Sequence, residues 1–384
     1  MDSELMGKRI LFFTAVFFLC VGAIFSAPPP ADGTYVHLNP HEPVSIDEAR
    51  LVQTSETRNV ILMIGDGMGL SQVSAGLTAN RGRLNLEVLK TIGFAKTQSA
   101  DRYVTDSAAS GTAIASGVKT RNGMIGMDPD GGPVPTILEL AEARGLATGL
   151  IATSSVTHAT PASFAAHQTS RNMEEAIALD LVRSGVDVMI GGGLKFFAER
   201  KDNLSLLDSL AQRDYSVHQS LTSMQKRSSG PAAVLLADNA LPPMPERGDL
   251  LPKAAHAALD ILDDSPDGFF LMIEGSQIDW GGHDNDPARI VRETLDFDRA
   301  VGVVLEFAVR DGNTLIIVTA DHETGGAAVE GGSIQDGIIE MDFTSGGHTG
   351  VMVPVFAAGP GAERFRGMYE NTEIFQKMKE ALGL

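Results

Sequence analysis

Six short apolar runs restrict what this chain can fold into. The segments NVILMIG (59–65), ATGLIAT (147–153), VDVMIGGG (186–193), GFFLMIEG (268–275), NTLIIVTA (313–320) and VMVPVFAAG (351–359) are apolar almost throughout. A strand with one wet face would alternate; runs apolar on both faces belong to a parallel sheet covered on each side. Between them, TILELAEARG (136–145) and ARIVRETLDFDRAVGVVLEFAVRDG (288–312) repeat apolar residues at three- and four-residue spacing and close on glycine, which predicts amphipathic helices. Strands alternating with helices predict a doubly wound α/β fold, with a mostly parallel central sheet and helices on both faces.

The stretch 195–255 is more polar, with MQKRSSGP and LPPMPERGD, and is expected to be a peripheral excursion. No internal repeat and no second core emerge, so residues 28–384 are expected to form a single domain. With 384 residues the chain can bury a large core. The formal net charge of −19 argues against nucleic acid or an anionic membrane as a partner, since both need a basic face.

At the N-terminus Lys8 and Arg9 precede ILFFTAVFFLCVGAIF, 16 residues without a charge, followed by small residues and APPPADG. This is the pattern of a signal peptide over 1–27, with an uncertain cleavage point and a periplasmic or secreted destination. The alternative, a membrane anchor, normally wants about 20 apolar residues. The single cysteine, Cys20, lies inside that segment, so the mature chain would carry no thiol.

Open α/β sheets bind ligands beyond the carboxyl ends of their strands. Those ends are rich in ionisable residues here. Asp66 follows the first run in GDGMG; Glu274 ends another and leads into GSQIDWGGHDND, with Asp279 and His283. TADHETGG supplies Asp321, His322 and Glu323, TSGGHTG supplies His348, and SSVTHATPASFAAHQTSR supplies His158, Thr160 and Arg171. One such residue after a strand is usually a cap or a solvated loop residue; four strand ends so furnished point to a metal site. The adjoining glycines let backbone approach closely. Asp279 and His283 are spaced i, i+4, and Asp/His mixtures without cysteine suit a catalytic Zn²⁺. In YVTDSAASGTAIASG (103–117), Ser107 stands at an expected helix start beside Asp106. There an anion can approach backbone N–H groups, and the small side chains are expected to leave room for metals and substrate.

Together IGDGMG, TDSAASGTAIASGVKT, HATPASFAAHQTSR, EGSQIDWGGHDND, TADHETGG and GGHTG, in this order, resemble the alkaline phosphatase family, and especially its compact bacterial members without disulfides. The resemblance spans about Val60 to Gly361. It implies hydrolysis of small phosphate monoesters through a phosphoserine on Ser107, with Arg171 clamping the phosphate, and a homodimer. It also implies two Zn²⁺ and one Mg²⁺ per subunit: Asp279, His283 and His348 on one zinc, Asp66, Asp321 and His322 on the second, and Asp66, Thr160 and Glu274 on magnesium. Six cationic charges would then face four carboxylates, leaving a locally positive pocket. His158 and Trp280 depart from the enterobacterial pattern, which has aspartate and lysine there; with Asp106 they are expected to tune the site from outside the ligand shell. A phosphodiesterase or sulfatase of the same superfamily is the alternative enzyme, although DSAAS lacks the C/S-x-P-x-R context of a sulfatase. A non-catalytic periplasmic phosphate- or metal-binding protein would be expected to lose Ser107. His348 follows Gly326 by only 22 positions, too few for the subdomain that some relatives insert there.

Overall fold

The computed structural model describes residues 33–52, 54, 56–224 and 230–384; the expected signal peptide and Cys20 lie outside them. Ten strands hydrogen-bond into one sheet in the spatial order Gly367–Glu370, Thr91–Lys96, Val353–Ala358, Thr314–Thr319, Asn59–Gly65, Phe269–Gly275, Ala147–Ser155, Val188–Gly192, Ala232–Leu235 and Ser216–His218. In the central pair, Asn59–Gly65 and Phe269–Gly275, every residue is buried, as runs apolar on both faces require.

Two separate groups of helices cover this sheet. Helices Leu250–Leu262 and Pro287–Asp311 pack together over its middle strands, while Ser107–Ser116 packs on Ala159–Ala162 and the C-terminal Thr372–Ala381. The 25-residue helix Pro287–Asp311 has clear boundaries. The Asp286 side chain accepts from the Ala288 and Arg289 N–H groups, proline occupies the first turn, and Gly312 ends the helix at φ 76°.

Every pairing in the sheet is parallel except those of Val353–Ala358, which runs antiparallel to both Thr91–Lys96 and Thr314–Thr319. The reversal matters for the site. Residues that follow a parallel strand and the residue His348, which precedes the reversed one, reach the same edge of the sheet.

The stretch 195–255 is less peripheral than its polarity predicts. Ser216–His218 and Ala232–Leu235 extend the central sheet at one edge, and Leu250–Leu262 buries a face against it. The strands escape a sequence reading because they are three and four residues long. Thr91–Lys96 escapes it for another reason: its burial alternates, so it never forms a continuous apolar run. A separate antiparallel sheet joins Thr34–Val36, Ile338–Phe343 and Ala327–Ser333, and a short ribbon pairs Glu323–Thr324 with His348–Thr349. Among the described residues no helix is long and apolar enough to cross a membrane.

Candidate functional site

Strand order decides which side chains meet. Asn59–Gly65 is flanked by Phe269–Gly275 and Thr314–Thr319, so Asp66, Glu274 and Asp321 emerge side by side. All three are fully buried. The turn after Asp66 is possible because Gly67 adopts φ 71°; a Cβ there would lie 2.7 Å from Asp279 Cα. Gly67 N–H donates to Asp321 Oδ1 at 3.1 Å.

The one-turn spacing of Asp279 and His283 is realised on helix Gln277–His283. His283 Nε2 lies 3.4 Å from Asp279 Oδ2 and 3.2 Å from His348 Nε2, and His348 Nε2 lies 3.5 Å from Asp279 Oδ1. Both imidazoles turn their Nδ1 to a backbone carbonyl, Gly346 O at 2.8 Å and Thr105 O at 2.9 Å. Nδ1–H must donate there, so Nε2 is left bare and faces the partner ligands.

A second set adjoins the first, with the His322 and His348 rings stacked at 3.5 Å between centroids. His322 Nε2 lies 3.5 Å from Asp66 Oδ1, 3.1 Å from Asp321 Oδ2 and 3.3 Å from Ser107 Oγ. A third set forms from Asp66, His158 and Glu274, whose ligand atoms lie within 4.8 Å of one another. Glu274 Oε2 accepts from the hydroxyls of Ser276 at 2.5 Å and Ser154 at 3.2 Å. Thr160 lies close to the same carboxylate without completing a hydrogen bond.

Cations fit these sets. Both oxygens of Asp66, Oε1 of Glu274 and the Thr160 hydroxyl are buried and have no hydrogen-bond partner in the protein. Buried carboxylate oxygens left this way are costly unless a cation takes them. Without one, burial first and then the Asp321, Asp279 and Glu274 charges hold the Asp66 pKa well above its ordinary value, and burial lifts Glu274 to about 7. Carboxylate oxygen with imidazole nitrogen suits Zn²⁺, and an oxygen-rich corner suits Mg²⁺.

Ser107 opens helix Ser107–Ser116, and Asp106 caps it by accepting from Ala109 N–H. All ten residues of that helix are buried. Most of its small side chains serve packing rather than the pocket: a Cβ on Gly111 would sit 3.0 Å from Ser163 Oγ. The expectation that they make room for ligands therefore holds for the first turn only. Asp106 also pins Arg171, whose NH1 lies 3.1 Å from Oδ2 and whose NH2 lies 3.2 Å from His158 Nε2. Burial, then Arg171, lowers the His158 pKa to about 4, so the ring is neutral and accepts. Trp280 meets His158 edge to face at 6.3 Å between centroids. An open pocket of about 600 Å³, lined by Arg102, Tyr103, Asp106, Asn122, His283 and His348 among others, gives access to the site.

All thirteen residues singled out in the sequence lie in or around this cluster. One member was placed too far from the ligands, and another escaped notice. His158 comes within ligand distance of Asp66 and Glu274 rather than standing only behind them. Thr324, two residues after His322, bonds to Asp279 of the first set and His322 of the second; inside TADHETGG it reads as an ordinary hairpin threonine.

A family model described as alkaline phosphatase matches residues 57–338 and 335–384. Alkaline phosphatase 3 of Bacillus subtilis is 34% identical, over 88% of this chain and 92% of its own. The solved alkaline phosphatase of the Antarctic bacterium TAB5 is 43% identical with a TM-score of 0.81, covering 85% of this chain and 98% of its own. A variant of that enzyme with a histidine replaced by aspartate, solved with Mg bound in its M3 site, matches with the same identity, coverage and TM-score.

Proposed function

This chain belongs to the alkaline phosphatase family and is a metal-binding enzyme that hydrolyses phosphate monoesters, and on that premise we propose how its residues divide the work. Asp279, His283 and His348 hold one zinc, Asp66, Asp321 and His322 the second, and Asp66, Thr160 and Glu274 a magnesium. Bound there, the ions supply Lewis-acid stabilisation of anionic oxygens and lower the pKa of a hydroxyl beside them. Ser107 Oγ is the nucleophile: it attacks phosphorus, the bond to the alcohol oxygen breaks, and a phosphoserine remains until water releases phosphate. Arg171 is held by Asp106 and His158, and turns its remaining N–H groups to the phosphate oxygens; a planar fork does this where lysine could not.

One observation carries this reading: Ser107 Oγ lies 3.3 Å from His322 Nε2, within a cluster of buried carboxylates whose free oxygens call for cations. Acid-quenching the enzyme with substrate should trap phosphate on Ser107, located by peptide mass spectrometry. Ser107→Ala should lose turnover by about 10⁴-fold or more and still bind phosphate. Phosphate trapped on another residue, or an active Ser107→Ala, sinks the assignment.

We also read 1–27 as a signal peptide removed on export, 28–384 as one catalytic domain, and the mature protein as a periplasmic or secreted homodimer. The charge-free run 10–25 behind Lys8 and Arg9 motivates the first of these. N-terminal sequencing of the exported chain and its solution mass test them.

A further inference from the structure

Thr324 is fully buried, and its hydroxyl lies between two ligand sets. Oγ1 is 2.5 Å from Asp279 Oδ1, which belongs to the first zinc set, and 3.2 Å from His322 Nδ1, which belongs to the second. A threonine hydroxyl carries one proton, and a carboxylate oxygen can only accept. That proton therefore goes to Asp279, and the hydroxyl oxygen is left to accept Nδ1–H of His322. Nε2 of His322 is then bare, facing Asp66, Asp321 and Ser107. Backbone carbonyls impose the same tautomer on His283 and His348; for His322 a side chain does it, and that side chain also grips the other ligand set.

The surrounding chain clears and fixes this position. A Cβ on Gly67 would lie 2.7 Å from Thr324 Oγ1, and one on Gly282 would lie 2.9 Å from Thr324 Cβ. The glycines of GDGMG and WGGH thus make way for Thr324. Its carbonyl accepts from Gln72 Nε2 at 2.8 Å, and its backbone stands in register with His348. The adjacent Glu323 carboxylate accepts from Gln72 Nε2, Ala327 N–H, Gly326 N–H and the Thr349 hydroxyl. Such bracing limits the rotation of the strand pair that carries Thr324.

We propose that Thr324 is a positioning residue that orients both zinc ligand sets through one chain, His322 Nδ1–H to Thr324 Oγ1–H to Asp279 Oδ1. The proposal rests on the assignment of zinc to these two sets. Metal-free full-length protein is titrated with Zn²⁺ against a chromophoric chelator of known affinity. Thr324→Val, which keeps the shape, should weaken both zinc sites by about tenfold or more, and Thr324→Ser should return them to within about threefold of the parent. A parent that takes up no zinc overturns the metal assignment and this chain with it. A parent that binds two zincs overturns the chain alone if Thr324→Val binds them equally well, if only one site weakens, or if Thr324→Ser is as weak as Thr324→Val. Nitrogen-15 shifts of His322 in the zinc-loaded parent give a measurement independent of variant folding. They should show a protonated Nδ1 and an unprotonated, zinc-bound Nε2, and the opposite arrangement overturns the proposal.

Discussion

His158 is half-buried beside Arg171, and its lowered pKa keeps it neutral across the working range of a phosphatase. A neutral imidazole already accepting from Arg171 offers magnesium little: Mg²⁺ prefers oxygen and holds its waters, which a carboxylate anchors better. Trp280 brings no charge to the phosphate, and the Arg289 guanidinium lies over its ring at 5.6 Å. Magnesium binding is thus expected to be weak, with activity stimulated by added Mg²⁺ at about millimolar levels and lost when excess zinc takes the site. The double change His158→Asp with Trp280→Lys should lower the half-saturating Mg²⁺ concentration by about tenfold and strengthen inhibition by phosphate. If both quantities stay where they are, these two side chains do not tune the site.

The helix Pro287–Asp311 begins just past the helix that carries Asp279 and His283, so its anchoring bears on the set these two form with His348. Two of its three buried acids, Glu293 and Asp296, pair with a residue of the 242–248 loop. Arg247 NH2 bonds to Glu293 Oε2 and lies 2.8 Å from Asp296 Oδ2, while NH1 donates to Pro242 O at 3.0 Å. Removing one partner of a buried pair strands the other charge at a cost of about 3–5 kcal/mol. Arg247→Met should therefore lower Tm by roughly 5 °C in a chain of this size. Neutralising both acids in the same background, as Glu293→Gln with Asp296→Asn, should recover much of the loss. A single variant as stable as the parent would show that solvent or other bonds already satisfy the two acids.

Across the whole molecule, the site gathers four buried carboxylates within a chain of net charge −19. Cations bound there stabilise the fold by mass action, about 4 kcal/mol for an ion present at 1,000 times its Kd. Exhaustive chelation should abolish activity and lower Tm by about 5 °C or more, and Zn²⁺ with Mg²⁺ should restore both. Unchanged activity and melting, with metal content confirmed near zero, would remove the metals from the mechanism and from the stability of the fold.

Local physics made much of this legible in the sequence. Continuous apolar runs exposed the buried parallel strands, because two covered faces leave no polar alternation. The Pro287–Asp311 helix was readable from its period and its terminal glycine. Ionisable residues beside glycine at the ends of several of those runs pointed to Asp66, Asp279, His283, Asp321, His322 and His348, since one such residue is usually a cap but four ends so furnished are not. Tertiary structure alone decided that Val353–Ala358 runs backwards, and so why His348, preceding its strand, meets residues that follow theirs. It alone brought Ser216–His218 and Ala232–Leu235 onto the sheet, because strands that short take their register from neighbours and not from their own pattern. The placing of Thr324 was decided at that level too. A hydroxyl carries no sequence signal for the two side chains it touches, and Asp279 lies 45 residues before it in the chain.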